Sequence, residues 1–326
     1  MAGLSSRLVF WARENSVADK KITVVGAGNV GATTAHLAAM ANLADIVLID
    51  IVEGLAEGKA LDLAEASSLS GYDVKIAGTT DWVKTKDSDI VIITSGLPRK
   101  PGMSRDDLLA KNVGIVKSVT EQIVNHCPDS FIIVVCNPLD AMVYTAAKVS
   151  GFEKRKIMGM AGALDCARFA YFTALELGVS EEDIEAVLMG GHGDDMVPLP
   201  RFTTVNDVPL TNLLSREKIE ALIERTRNGG IEIVNLLGYS AYYAPAAGAV
   251  KMAKAILQDT KSLISCCAYC QREYSAGGYY VGVPAILGKA GVEKIVELDL
   301  NDEERANFAD SLAHVKELAA KVDSLL

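Results

Sequence analysis

A glycine-rich turn between an apolar segment and a helical one constrains the fold of this chain more than any other feature. The apolar run Ile22 to Val25 ends in a Gly-x-Gly-x-x-Gly pattern, and a helical segment follows from Ala32 to Met40. A second apolar run, Ile46 to Ile49, then ends in Asp50. This order predicts a strand, a tight turn, a helix and a second strand with an acid at its tip.

Each part of this segment suits a dinucleotide. Gly26 permits the sharp turn, Gly28 lets the backbone approach a pyrophosphate, and Gly31 lets the helix pack closely on the strand. The helix N-terminus offers N–H groups to the phosphates. Asp50 can accept hydrogen bonds from a ribose diol and would repel a 2′-phosphate, which favours NAD over NADP. The candidate cofactor-binding residues here are Gly26, Gly28, Asn29, Val30, Gly31 and Asp50. The alternative is a glycine-rich turn in an α/β domain that binds no nucleotide.

Composition narrows the possible partners. The chain has 326 residues, half of them apolar and 23% charged, which is enough for two globular domains. Its net charge of −10 argues against nucleic acid and anionic membrane surfaces as partners, although an acidic enzyme can still hold anionic substrates in a locally basic cleft. No stretch approaches the roughly 20 apolar residues of a membrane span.

The six cysteines are unevenly placed, which favours a reducing compartment over a disulfide framework, and we expect a cytoplasmic protein. Cys267 and Cys270 form a single C-x-x-C within Leu263 to Tyr274, a segment predicted to be a strand. Positions three apart on a strand point to opposite faces, so we expect no metal or redox function there. Residues 1–20 form an N-terminal extension, for which we favour a disordered or partner-packing arm over an organelle transit peptide.

The first half alternates strand and helix patterns, which predicts a parallel, doubly wound sheet. The predicted strands are Ile22–Val25, Ile46–Asp50, Val74–Gly78, Ile90–Thr94 and Phe131–Cys136. We therefore expect an α/β protein in which a Rossmann-type domain at residues 21–160 is followed by an α+β substrate domain at residues 161–326.

The second half is less regular. Ser180 to Asp183 predicts a helix start or a turn, and strands are predicted at Ala186–Met189 and Arg201–Val205. Ser215 to Leu237 predicts a long helix with a kink or break at Gly229-Gly230.

Two helices are predicted to bury one apolar face each. The first carries Leu109, Val113, Val116 and Ile123. The second begins at a capping box formed by Asn301 and Glu304. Its apolar stripe consists of Phe308, Leu312, Val315, Ala319, Val322 and Leu326. Both patterns indicate core packing.

A basic loop, Leu97 to Arg105, follows the predicted strand Ile90–Thr94 at the strand's carboxyl end, where doubly wound sheets bind ligands. Its prolines and glycine argue against regular structure, and Asp106-Asp107 begin the next helix. Arg99 and Arg105 would give such a loop two guanidinium groups, which pair bidentately with carboxylates. A solvated basic turn is an equal alternative.

Two further clusters carry chemistry. Asp165 and Arg168 would share one face of a helix if Asp165 opens it; the alternative is a surface ion pair worth only about 0.3–0.5 kcal/mol. His36, His126 and His314 lie in helical patterns and are expected to be structural. His192, in contrast, is flanked by glycines at the end of an apolar strand, where a reacting group can approach. Its unperturbed pKa near 6.5 suits proton transfer at neutral pH.

Together these motifs resemble the NAD-dependent lactate/malate dehydrogenase family, and within it the lactate-dehydrogenase-like branch of malate dehydrogenases. The matching segments are VGAGNVG, LIDI, RKPGMSRDDLL, VCNPLD, GALDCARF, GGHGDDMVPL and SAYYAPA, in that order. The resemblance runs from about Lys21 to the C-terminus. It departs from the family in the N-terminal extension and at Leu236 to Ser240, which is about one residue short.

The resemblance implies reversible NAD-dependent oxidation of (S)-malate to oxaloacetate by hydride transfer, in a homodimer or homotetramer without a metal. It implies that His192 accepts and donates the proton, that Asp165 orients the imidazole, and that Arg105 polarises the reacting carbonyl. Arg168 would bind the C1 carboxylate of this dicarboxylate substrate.

The resemblance also implies roles for three further residues. Asn137 would orient the carbonyl near the nicotinamide, and Asn112 and Asn137 would both contact the cofactor. Arg99 stands at the family's specificity position, where arginine is typical of enzymes that pair a second carboxylate and glutamine of lactate enzymes.

Three alternatives stay open on the sequence. The first is a lactate or other 2-hydroxyacid dehydrogenase, which Arg99 disfavours. The second is a non-catalytic NAD-binding module, which the presence of His192, Asp165, Arg168 and Arg105 disfavours. The third is an NAD-dependent glycosidase on a related fold, which would need metal ligands that the cysteine pair does not supply.

Overall fold

The computed structural model describes residues 20–98 and 103–326. Its strands are β1 Lys21–Val25, β2 Asp45–Ile49, β3 Ile76–Thr79, β4 Ile90–Ile93, β5 Phe131–Val134, β6 Ile157–Gly159, β7 Ile184–Glu185, β8 Leu188–Gly190, β9 Met196–Pro198, β10 Thr204–Val205, β11 Val208–Pro209, β12 Ser262–Cys270, β13 Tyr279–Gly288 and β14 Gly291–Ile295. Its helices are α1 Asn29–Met40, α2 Leu55–Ser70, α3 Arg105–His126, α4 Leu139–Ser150, α5 Ala161–Leu177, α6 Leu210–Leu213, α7 Arg216–Leu237, α8 Tyr243–Leu257 and α9 Asp302–Leu325.

One mixed sheet runs through both halves of the chain. Its parallel part has the strand order β3-β2-β1-β4-β5-β6. β12 pairs antiparallel with β6, and the sheet continues through β13, β8 and β9, all antiparallel. The predicted α/β fold class, a doubly wound parallel sheet followed by a mixed second half, is confirmed.

Alternating burial explains why the parallel strands form. Ile22 and Val24 of β1 face one core cluster, while Val25 faces a second cluster on the opposite side of the sheet. β4 repeats the pattern, with Ile90 and Ile92 on the first side. Because helices cover both faces, each strand is apolar at consecutive positions rather than at every second one. The carboxyl ends of these strands are thereby fixed side by side.

All five strands predicted in the first half are confirmed, with ends that differ by one or two residues. In the second half the outcome is mixed. The segment predicted as one strand at Ala186–Met189 contains only part of β8, and β7 precedes it. The predicted strand Arg201–Val205 contributes only its last two residues, in β10. Arg201 instead forms an ion pair with Glu304 of α9 at 2.8 Å.

The predicted break in the long second-half helix is wrong, because α7 runs uninterrupted through Gly229-Gly230. Both glycines face the Arg168 side chain of α5. A Cβ on Gly229 would lie 3.4 Å from Cδ of Arg168, and one on Gly230 would lie 3.6 Å from its Nη2. Both distances are ordinary van der Waals contacts, so the Arg168 side chain packs against the helix face that carries the two glycines.

The two cysteines of the C-x-x-C lie on opposite faces of the sheet, as expected. Cys267 packs in one core cluster and Cys270 in the other. The strand that holds them, β12, ends at Cys270, four residues before the predicted end. Within the described ranges no group of three His, Cys, Asp or Glu side chains could hold a metal ion. No helix of the described chain is long and apolar enough to cross a membrane.

Both predicted apolar helix faces are buried. In α9 the buried stripe consists of Phe308, Leu312, Val315, Ala319 and Val322, whereas Leu326 lies beyond the helix and is partly exposed. Asn301 and Glu304 form the predicted capping box, and Asn301 Oδ1 accepts the Glu304 N–H at 2.8 Å. α3 has a capping box of its own between Ser104 and Asp107.

We predict that Asn301→Ala lowers the stability of the fold by about 1 kcal/mol, because the first turn of α9 loses the acceptor for the Glu304 N–H. The measurement is the urea midpoint followed by circular dichroism. Asn301→Ser keeps an oxygen at this position and serves as the matched control, with a midpoint close to that of the parent chain. Equal midpoints for the Ala variant and the parent would contradict this account of the cap.

Candidate active site

The glycine turn after β1 has the geometry of an anion-binding turn. Gly26 has a φ of +101°, which an L side chain rarely adopts. A Cβ on Gly31 would lie 1.8 Å from the carbonyl oxygen of Gly26, so α1 can begin this close to β1 only with glycine there. No described atom lies within 4 Å of the position of a Cβ on Gly28. α1 begins at Asn29 without an acid in its first turn, so its N–H groups remain available to phosphate.

Asp50 closes this turn from the tip of β2. Its Oδ2 accepts the Ala27 N–H at 2.6 Å, and its Oδ1 accepts the Val52 N–H at 3.0 Å. The acid expected to bind a ribose diol therefore also fixes the backbone between the first two glycines.

Asn112 and Asn137 link the loop after β4 to the turn after β5. Asn112 is buried in α3, where its Oδ1 accepts the Leu97 N–H at 2.8 Å. Its Nδ2 donates to Leu97 O at 3.1 Å and to Asn137 O at 2.6 Å. With these three bonds Asn112 supports the wall of the cleft, while Asn137 lines it.

Two adjoining clefts meet at His192. The first, of about 430 Å³, is lined by Val30, Asn137, Arg168 and Arg227, among others. The second, of about 660 Å³, contains Arg105 and lies between α3 and α9. Both clefts share Asn137, Leu139, His192 and Gly193. The structure therefore brings His192, Arg168 and Asn137 around one space that opens toward the glycine turn.

The predicted pairing of His192 with Asp165 is present in the geometry. His192 follows β8, and its Nδ1 lies 2.9 Å from Oδ2 of Asp165 in α5. A carboxylate at this distance accepts a hydrogen bond from the Nδ1–H group, which leaves Nε2 for a ligand. The structure places Asp165 in the second turn of α5, because the helix begins at Ala161 and not at Asp165; Asp165 and Arg168 still lie three residues apart on it.

Arg168 stands beside this pair. Its Nη1 lies 3.7 Å from Oδ1 of Asp165, with side chains only 14% and 4% exposed, respectively. The alternative of a surface ion pair is therefore wrong. Burial lowers the pKa of Arg168, and the charge of Asp165 opposes this; the guanidinium stays charged at neutral pH.

Burial disfavours the charged form of His192, but two carboxylates outweigh it. The charge and hydrogen bond of Asp165, together with the charge of Asp140, raise the pKa of His192, while Arg168 lowers it. The net direction is upward. A proton on this imidazole is thus held more strongly than on a free histidine.

Arg105 takes a different position from the other predicted catalytic residues. It is the first residue of α3, and its Nη2 lies 3.3 Å from Oδ2 of Asp194 in an exposed ion pair. Arg105 lines the second cleft and not the space around Arg168. Arg99, predicted to read the second carboxylate, lies outside the described residues.

Sequence reasoning missed two charged residues of the site. Asp140, in the first turn of α4, accepts the main-chain N–H of His192 at 3.0 Å. Its signal was present, since the acid lies within the VCNPLD segment just after a buried strand. Arg227 of α7 lines the first cleft and donates from Nη2 to Met196 O at 3.3 Å. α7 carries several charged residues at other positions, so nothing in the pattern distinguished it.

Comparison with known proteins places this geometry among dehydrogenases. The profile described as "lactate/malate dehydrogenase, NAD binding domain" matches residues 20–159. The profile described as "lactate/malate dehydrogenase, alpha/beta C-terminal domain" matches residues 162–325. The malate dehydrogenase of Rhodopirellula baltica is 57% identical over 309 residues, which are 94% of this chain and 98% of that protein.

Solved structures agree with the sequence comparison. The apo malate dehydrogenase of Picrophilus torridus superposes with a TM-score of 0.92 at 46% identity, over 94% of this chain and 98% of that one. The lactate dehydrogenase of Cryptosporidium parvum, solved with lactic acid and NAD, has a TM-score of 0.90 at 42% identity, over 93% of this chain and 98% of that one.

We predict that the His192 imidazole titrates above the usual histidine pKa and that Asp165→Asn lowers its midpoint, because the variant loses the carboxylate charge that raises the pKa of His192. The measurement is a ¹³C–¹H NMR titration of the histidine Cε1 resonances, with His192→Gln used to assign the peak. His314, paired with Asp195 at 2.7 Å, serves as an internal control that keeps its midpoint.

The raised pKa of His192 also makes the stability of the fold depend on pH. A raised folded-state pKa stabilises the fold fully below the unfolded pKa of about 6.5, and this contribution is lost as pH rises through the folded-state pKa. Asp165→Asn should therefore lose more stability in acid than at alkaline pH. A His192 midpoint in Asp165→Asn at or above that of the parent would contradict the assignment.

Proposed function

Because the chain belongs to the lactate/malate dehydrogenase family, we propose that His192 and Asp165 carry the proton step of its NAD-dependent malate dehydrogenase reaction. The observation that supports this is the partly buried hydrogen bond between Nδ1 of His192 and Asp165 at 2.9 Å, at a cleft that opens to the glycine turn. An imidazole held in this way is a general base with a fixed tautomer.

The proton moves at Nε2 of His192. In malate oxidation this nitrogen accepts the hydroxyl proton, and Asp165 stabilises the imidazolium that forms. When bound, NAD supplies the acceptor for the hydride that leaves C2 of malate. In the reverse direction His192 donates the proton to the developing alkoxide, so it stabilises the transition state more than the ground state.

Arg168 and Asn137 orient the substrate. Arg168 is buried beside Asp165 and lines the first cleft, where its guanidinium can bind the C1 carboxylate bidentately. The face of α7 with Gly229 and Gly230 packs against this side chain. Asn137 follows β5 and offers its amide to the reacting carbonyl beside the nicotinamide.

Arg105, the first residue of α3, would act when the basic loop before it closes over the cleft. In this structure its only described ion-pair partner is Asp194, and both side chains are exposed, so breaking the pair costs little. Closure would move the guanidinium to the reacting carbonyl and exclude water, which strengthens every charge contact in the cleft. Arg99 belongs to the same basic loop and would pair the second carboxylate of malate or oxaloacetate.

Cofactor recognition is assigned to the glycine turn and its neighbours. Gly26, Gly28, Asn29, Val30 and Gly31 would hold the pyrophosphate at the N-terminus of α1. Asp50 would accept hydrogen bonds from the ribose diol, and Asn112 would help to form the cofactor site by holding Asn137 in place.

We also propose that residues 21–160 form the cofactor domain and residues 161–326 the substrate domain.

The exposed face of helix α2 is the proposed contact surface between copies of this chain. α2 buries only Ala56 and Ala60, although most of its side chains are apolar or small. Its exposed leucines, Leu55, Leu61 and Leu69, form the surface that a second copy of this chain would cover in a homodimer or homotetramer.

All six cysteines are free thiols, which supports a reducing, cytoplasmic setting.

We predict that the chain oxidises NADH rapidly with oxaloacetate, far more slowly with pyruvate and not without substrate. Arg99→Gln should lower kcat/KM for oxaloacetate by about 10²-fold, on the order of 3 kcal/mol, because the second carboxylate loses its partner. The measurement is initial-rate spectrophotometry at 340 nm.

The control for that assay is His192→Gln, which should bind NADH normally and lose turnover with either substrate. An unchanged kcat/KM for oxaloacetate in Arg99→Gln would remove Arg99 from recognition. Retained turnover in His192→Gln would remove the proposed base.

We predict that Leu61→Lys shifts the protein toward smaller oligomers, because a charge on the exposed face of α2 opposes its burial. Leu61 is 53% exposed in the single chain. Light scattering after size-exclusion chromatography measures the mass. Val83→Lys, at a 62% exposed position outside α2, is the matched control. A monomeric parent chain, or equal masses for Leu61→Lys and the parent, would argue against this surface.

A further inference from the structure

We propose that Asp140 is a positioning residue for His192, a second buried carboxylate that holds the main chain of the turn 190–195 and places negative charge behind the imidazole. The inference rests on the proposed role of His192 as the base. Asp165 acts on the ring, whereas Asp140 acts through the backbone and through its charge.

The geometry of Asp140 is that of a built contact. It is the second residue of α4 and only 7% exposed. Its Oδ2 accepts the His192 N–H at 3.0 Å, across 52 residues of sequence. An acid in the first turn of a helix usually faces solvent and interacts with the helix dipole alone. Burying one without a partner is unfavourable, so the bond to His192 accounts for its position.

The two carboxylates face one small enclosed space. A cavity of about 10 Å³ is lined by Asp140 and Asp165 together with Gly190 and Cys267. Two like charges around such a space repel each other in a poorly screened environment. A proton on His192 relieves this repulsion, because the residue contacts Asp165 with its ring and Asp140 with its N–H. The arrangement therefore favours the protonated imidazole.

The charged and titratable groups near His192 come from every neighbouring element. They are Asp140 of α4, Asp165 and Arg168 of α5, Cys267 of β12, Asp194 and Asp195 of its own turn, Arg105 of α3, Arg227 of α7 and His314 of α9. Asp195 is offset by His314 and Asp194 by Arg105. Burial raises the pKa of Asp140; the N–H and charge of His192 and the thiol of Cys267 oppose this rise, and the net direction is upward. By its hydrogen bond to the His192 N–H and by its charge, Asp140 is the second carboxylate that acts directly on His192.

Ser311 of α9 holds the same turn without a charge. Its Oγ accepts the Gly191 N–H at 2.8 Å and donates to Asp195 O at 2.7 Å. Ser311 therefore fixes the turn on both sides of His192 and contributes no net charge. This residue gives a comparison in which geometry is disturbed but the charge behind the imidazole is kept.

The experiment is the pH dependence of kcat/KM in both directions for Asp140→Asn and Ser311→Ala. Asparagine keeps an oxygen that accepts the His192 N–H, so we expect Asp140→Asn to lose less than about tenfold in kcat/KM at its optimum. Because the charge is gone, His192 loses its proton at lower pH. The acid limb of malate oxidation and the alkaline limb of oxaloacetate reduction should both move to lower pH.

Ser311→Ala should lower kcat without moving either limb. Profiles of Asp140→Asn that superpose on those of the parent would overturn the proposal, and so would an equal displacement in Ser311→Ala. If Asp140→Asn fails to fold, as judged by circular dichroism and NADH fluorescence, Asp140→Ser offers a neutral oxygen acceptor for the same test. His192→Gln tests the proposed base separately, because turnover in that variant would refute the role of His192. In that case the NMR titration midpoint of His192 in Asp140→Asn tests whether the charge of Asp140 raises the pKa of the imidazole, and an unchanged midpoint would overturn the proposal.

Discussion

The hydrogen bond between His192 and Asp165 is the contact on which the rest of the site depends. It joins two elements that the chain builds separately, the turn after β8 and the second turn of α5. Neither residue would be useful alone, because a buried carboxylate without a partner is unfavourable and an unheld imidazole has no fixed tautomer. Arg168 is placed by the same helix, three residues on. The base and the carboxylate-binding cation therefore share one rigid support.

The mixed sheet explains how this support meets the cofactor side. The carboxyl ends of β1, β4 and β5 place the glycine turn, the segment that begins at Thr94 and Asn137 side by side. Pairing of β6 with β12 continues the hydrogen-bonding network into β13 and β8, which ends at the turn that carries His192. In the described part of the chain, one continuous sheet thus brings residues from both halves of the sequence to the same cleft.

The sequence predicted the parallel half well because its signals are local. Continuous apolar runs separated by helical periodicity define β1 to β5, and the three glycines define the first turn. It predicted less where contacts are distant. The glycine pair of α7 suggested a break, but the helix continues through it, and this face packs against the Arg168 side chain of another helix. Asp140 matched an ordinary helix-starting acid, and only the fold shows that it meets the backbone of His192. The resemblance to a family supplied the residue roles, which periodicity and spacing alone could not.

The seam between β6 and β12 has a consequence for how the chain can be divided. If residues 21–160 were produced alone, Ile157–Gly159 would become an unprotected edge strand. Its N–H and C=O groups would lose their neighbour, and such edges recruit other strands into aggregates. The two family profiles therefore describe regions that differ in sequence but share one continuous sheet. Truncation at residue 160 would expose the edge of β6 and favour aggregation of the fragment.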